Sequence, residues 1–109
     1  MQHNPDARLS IVAYKPKPGK EAELMALTLE HVPYLQKEGM ATSRPHIIAK
    51  AGDGTIVEVF EWAEGGLERA HAHVGLSAMW QQYSAVCDYV PLTTLAETHN
   101  IFANFVPVK

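Results

Sequence analysis

The segment that most constrains this fold is residues 55–62, Thr-Ile-Val-Glu-Val-Phe-Glu-Trp. It follows Gly52-Asp53-Gly54, and an Asp-Gly pair between two β-type runs is a strong hairpin signal, so residues 44–51 and 55–62 are expected to be antiparallel neighbours. Side chains alternate across a strand. Ile56, Phe60 and Trp62 therefore share one face with Glu58, while Val57 and Val59 share the other with Glu61. Both faces carry large apolar groups, whereas a sheet covered on one side alternates more cleanly. Helices shield one face of a small sheet, and a second sheet must shield the other. At 109 residues the chain closes one core and has no material for a second sheet, which predicts a homodimer packed through sheet faces.

The remaining elements follow from periodicity and punctuation. Residues 9–14 read as a first strand ended by Pro16 and Pro18. Residues 20–38 read as an amphipathic helix, with Ala22, Met25, Leu29 and Val32 on one stripe and Leu24, Leu27 and Leu35 widening it. Glu21 and Glu23 suit its first turn, Gly39 caps its end, and Pro33 predicts a kink or an early stop near Val32, with a short continuation through Leu35. Residues 67–73 form a short helical segment before Gly75. A stronger helix follows, in which Leu76, Met79, Trp80, Tyr83, Val86 and Cys87 repeat at helical spacing to about Asp88. Residues 92–97 read as a loop with a helical turn, and residues 101–106 as the last strand. The order βαββαβ is the split βαβ arrangement, an α+β, ferredoxin-like single domain over residues 1–109 with an antiparallel sheet.

Charge and composition exclude several classes. The net charge is −3, and the nine basic residues are scattered rather than gathered into a stripe, so nucleic acid is not an expected partner. No window approaches the roughly 20 apolar residues of a membrane span, and the polar residues 1–8, with Pro5, differ from a secretory signal. A cytoplasmic location without membrane contact is the expectation. Cys87 is the only cysteine and sits among Ala85 and Val86, where a thiol reads as a small core residue.

Several details are similar to the dimeric α/β-barrel superfamily, which includes antibiotic-biosynthesis-monooxygenase-like and stress-responsive barrel proteins. They are Lys17-Pro18-Gly19-Lys20 with Glu23-Leu24 before and in the first helix, Phe60-Glu61-Trp62 ending the third strand, and His71-Ala72-His73 leading into residues 76–80. The resemblance implies two sheets packed face to face across a dimer, and a pocket between sheet and helices in each subunit. It also implies two activities. Haem-degrading members pair a first-strand Asn with a strand-three Trp and a helical His; Trp62 and His71 or His73 match, but the first strand has Ser10, Val12 and Tyr14 and no Asn. Cofactor-independent, quinone-forming members place a pocket Trp and polar groups around a phenolic substrate. The expected function is accordingly binding of a small apolar or aromatic ligand, with cofactor-free monooxygenase-like oxidation as the enzymatic form and a non-catalytic, stress-associated binding protein as the alternative.

The candidate catalytic residues are His71 and His73, because imidazole beside an apolar pocket moves protons near neutral pH. Both also read as a solvent-facing or helix-capping pair. On a helix their rings point about 200° apart, so they do not grip one metal, and neither metal nor cofactor is expected. Trp62, Phe60, Trp80 and Tyr83 are the candidate substrate-binding residues, and large aromatics at such positions equally build a core. Glu58 shares a strand face with large apolar groups and must be paired or solvated. Arg44, His46 and Lys50 face it if the hairpin loop has three residues; with a two-residue loop Glu61 faces His46 instead. A structural salt bridge at the dimer seam is the expected role.

Overall fold

The fold is described from a computed structural model covering residues 7–109; the polar segment 1–6 lies outside the described residues. Strand β1 spans Arg8–Pro16, helix α1 Glu21–Lys37, β2 Ile47–Lys50 and β3 Ile56–Trp62. Helix α2 (Gly66–His71) leads into α3 (Val74–Val86), which passes directly into β4 (Cys87–Val90). Two short 3-10 turns, Leu92–Thr94 and Ala96–His99, precede β5 (Val106–Pro107). The sheet is antiparallel, in the order β4-β1-β3-β2-β5. The fold is α+β, and its first four strands are compatible with a ferredoxin-like arrangement.

The hairpin between β2 and β3 forms as its turn chemistry demands. Ala51 N–H donates to Thr55 O at 2.8 Å, which leaves Gly52, Asp53 and Gly54 as a three-residue loop. Gly54 has φ +92°, a value open to glycine at no steric cost. Asp53 Oδ1 accepts from Thr55 N–H at 2.9 Å, and that bond holds the Asp53 carboxyl below its usual range. The register Ile48↔Glu58 and Ile47↔Val59 follows from this odd-length loop.

Two elements depart from the sequence reading. Helix α1 keeps the expected extent and runs through Pro33 to Lys37, so the early stop near Val32 does not occur. Leu29 and Pro33 both lie on its exposed side, where a carbonyl that loses its partner costs little. The buried stripe is also rotated: Leu24, Thr28, His31, Val32 and Leu35 face inward, while Ala22 and Leu29 are exposed. The fourth ferredoxin-type strand is Cys87–Val90, not residues 101–106, because Cys87 turns extended (φ −152°, ψ 170°) immediately after the helix. Only Val106 of the expected last strand pairs, and it does so at the opposite edge, beside β2.

Helices and sheet enclose two joined apolar clusters, one around Leu35, Phe60, Trp62 and Leu76, the other around Tyr14, Leu24, Ile48 and Tyr83. On the other side of the sheet, Leu95 with Leu92 and Phe105 covers Ala13, Ala51 and Val57. The rest of that side is open: Ile11, Val59 and Ile47 stand side by side on three neighbouring strands, and Ile11 is 50% and Ile47 52% exposed. No helix among the described residues is long and apolar enough to cross a membrane.

Candidate functional site

Between the helix layer and the sheet lies a cavity of about 360 Å³. Strand β1 contributes Ser10, Val12 and Tyr14, which share a face because they are two residues apart. Strand β3 contributes Phe60 and Trp62, directly across from Ser10 and Arg8. Helix α1 supplies His31, helix α3 Trp80 and Ser84, and β4 Tyr89. No Lys, Arg, Asp or Glu lines it, so its described wall is largely aromatic, with Ser10, Ser84 and the His31 imidazole among its polar groups.

The chemistry sits at the base of that wall. Glu58 is fully buried and His31 is 3% exposed. One carboxylate oxygen, Glu58 Oε1, accepts from the Tyr14 hydroxyl at 2.8 Å and lies 2.9 Å from His31 Nδ1. The indole N–H of Trp80 donates to His31 Nε2 at 3.3 Å. Nε2 is then the acceptor, the ring proton is on Nδ1, and Glu58 receives it. This is an acid-oriented imidazole whose basic nitrogen meets an indole that, like His31 itself, lines the cavity, an arrangement suited to taking a proton from a bound group. Burial, and after it the Glu58 carboxylate, pushes the Tyr14 hydroxyl far above the usual tyrosine range, so Tyr14 acts as a donor and not as a base. Burial likewise raises Tyr89 to about 12. Glu58 Oε2 has no hydrogen-bond partner among the described residues.

At the far end of the cavity the Trp62 indole N–H donates to Ser10 Oγ at 2.8 Å. The serine accepts there, which leaves its own hydrogen as a donor for the cavity. Phe60 and Trp62 meet edge to face with centroids 4.9 Å apart. Of the expected binding residues, Phe60, Trp62 and Trp80 line the cavity. Tyr83 does not: it is fully buried behind the wall, stacked 4.7 Å from Tyr14, and donates to Thr28 Oγ1 at 3.3 Å.

Neither His71 nor His73 lines this cavity; both border a separate, open surface depression. His73 is the N-cap of α3, where Nδ1 accepts from Leu76 N–H at 3.1 Å and Nε2 lies 3.0 Å from Glu38 Oε1. His71 is exposed, its ring 5.8 Å from the Trp80 indole. The histidine in the cavity is His31, which the sequence reading passed over. Its signal was available: His31 lies seven residues after Leu24, three after Thr28 and four before Leu35, on the buried stripe of α1.

No family model, no curated protein and no solved structure matches the chain. The site therefore stands on its own geometry.

The other polar candidates take structural positions. Glu58 faces the helix layer, so its partners come from β1 and α1 and not from a dimer seam. Ile48, and not a basic residue, is its cross-strand neighbour. Glu61, on the other face, accepts from Thr42 Oγ1 at 2.9 Å and pairs with Arg44 at 3.2 Å; those contacts, Thr42 first, hold its carboxyl below the usual range. His46 is half-buried, and its Nε2 has no hydrogen-bond partner among the described residues. Burial, followed by Asp88, pushes the Cys87 thiol up to about 11, the value of a packed and unreactive cysteine. No metal-binding cluster of His, Cys, Asp or Glu occurs among the described residues.

Proposed function

We propose that the cavity binds a small, neutral, hydroxylated aromatic molecule and that His31, oriented by Glu58, removes its hydroxyl proton. The observation that carries this reading is a buried imidazole whose Nδ1 is held by a carboxylate and whose Nε2, among the described residues, meets only an indole N–H beside a largely aromatic cavity. A ring of naphthalene size suits a cavity of this volume, and the uncharged lining disfavours carboxylates and phosphates. In the enzymatic form the phenolic proton passes to His31 Nε2 and the resulting electron-rich anion is oxidised by dioxygen. One oxygen atom enters the ring at a C–H position, and the other leaves as water with the two hydrogens lost. One phenol and one dioxygen thus give one quinone and one water, without an added reductant. The resemblance to the dimeric α/β-barrel superfamily supports this chemistry, and a homodimer joined through the open sheet face, over Ile11, Val59 and Ile47, belongs to the same reading.

The experiment is oxygen uptake with 1-naphthol under air. Uptake equal to naphthol consumed, reduced by a hundredfold or more in His31→Gln and retained in His73→Ala, is the expected result. Uptake unchanged by His31→Gln overturns the assignment of the base. A second reading is favoured by the Trp80 bond to His31 Nε2, which keeps the base occupied at rest: a non-catalytic binding protein of the same fold, for which naphthol binds and no oxygen is consumed.

A further inference from the structure

Trp80 closes off the basic nitrogen of His31, and we infer that it is a gate which selects ligands able to donate a hydrogen bond; this rests on the aromatic-binding reading given above. Three observations carry it. The only hydrogen bond to His31 Nε2 among the described residues comes from the Trp80 indole, and at 3.3 Å it is long for a hydrogen bond of this kind. His31 is almost wholly buried, so Nε2 has no ready alternative when the indole moves away. Trp80 itself is only partly buried, lines the cavity, and has the exposed His71 as an outer neighbour, so it borders both the cavity and the surface.

The consequence is an exchange reaction inside the cavity. A ligand hydroxyl approaching Nε2 replaces a long N–H···N bond by an O–H···N bond of about 2.8 Å, and the indole swings clear. An aromatic ligand of the same shape without a donor has two choices. It leaves Trp80 in place and uses less of the cavity, or it displaces the indole and leaves a buried acceptor unpaired. Sites built to hydrogen-bond a hydroxyl reject analogues that lack one for this reason. Trp80 is thus a specificity-determining residue as well as a wall.

A wall and a gate give opposite signs on substitution. Replacing a stacking wall weakens every aromatic ligand, whereas removing a competing donor strengthens only those that bond to Nε2. The test measures binding of 1-naphthol and of 1-fluoronaphthalene, similar in shape but without a donor, to the unmodified protein and to Trp80→Phe by equilibrium dialysis. The gate predicts 1-naphthol binding severalfold tighter to Trp80→Phe than to the unmodified protein, with 1-fluoronaphthalene unchanged or weaker. Equal weakening of both ligands overturns the gate while leaving the binding reading intact. Absence of binding of either ligand to the unmodified protein overturns both.

Should Trp80→Phe fail to fold, the unmodified protein still decides the matter by nitrogen-15 NMR of its two indole N–H groups. Saturation with 1-naphthol is expected to move the Trp80 N–H signal upfield as its hydrogen bond is lost, an effect absent with 1-fluoronaphthalene. A Trp80 signal that responds alike to both bound ligands sinks the gate.

Discussion

The two faces of the sheet handle the same strands in opposite ways. Toward the helices, β1 and β3 present Tyr14, Glu58, Phe60 and Trp62, and a carboxylate sits fully buried there because a hydroxyl and an imidazole meet one of its oxygens. Away from the helices the same strands present Leu9, Ile11 and Val59, with Glu61 met at the rim by Thr42 and Arg44 and little to cover the apolar groups beyond the Leu95 segment. The covered face therefore holds specific, directional contacts, each costly to break. Apart from the Glu61 contacts at its rim, the open face holds apolar area, whose value depends on what packs against it.

The largest expected effect lies on the covered face. Glu58→Ala leaves the Tyr14 hydroxyl and His31 Nδ1 without an acceptor and is expected to lower folding stability by about 3–5 kcal/mol in urea unfolding, while Glu58→Gln, which keeps an acceptor, loses less than half of that. Equal losses in the two variants break the view that hydrogen-bond satisfaction governs this face. On the open face Ile11→Lys is expected to alter folding stability by no more than about 0.5 kcal/mol, yet to weaken self-association by about a hundredfold, or ~3 kcal/mol, in sedimentation velocity. A well-folded monomer at micromolar concentration in the unmodified protein would falsify the proposed dimer.

Alkali probes the covered face again. Tyr14 and Tyr83 are raised by burial, and Cys87, on the neighbouring edge strand, is raised to about 11. The unfolded chain gives up these protons first, so it binds fewer protons than the fold between pH 9 and 11, and stability is present below pH 9 and falls as pH rises. A loss on the order of 2 kcal/mol by pH 11 is expected, and a flat urea midpoint over that range contradicts it. The smallest effect concerns His73. Its substitution by Ala removes the cap on Leu76 N–H and costs about 1 kcal/mol, with naphthol affinity unchanged; a change in affinity would tie this residue to the cavity.

The hairpin, α1 and α3 were legible because their signals are local: Asp53-Gly54 between apolar runs, and stripes at helical spacing. The fourth strand was not. Cys87, Tyr89 and Val90 follow α3 without a turn, and Val86 and Cys87 continue its periodicity, so pattern alone extends the helix into the strand. Glu58 was recognisable as a polar residue among apolar ones, while its partners were not. Tyr14 and His31 lie 44 and 27 residues away in sequence, and only packing brings them to the same oxygen.

The sequence by itself determined the α+β order, the hairpin and the excess of apolar surface on both sides of β3, since each depends on neighbours a few residues apart. The three-residue loop register, the rotation of α1 that turns His31 inward, and the seating of Trp80 against its ring were decided only by the tertiary structure. The physical reason is range: periodicity and turn chemistry act along the chain. A buried charge, by contrast, is satisfied by whichever donors the closed core brings within about 3 Å.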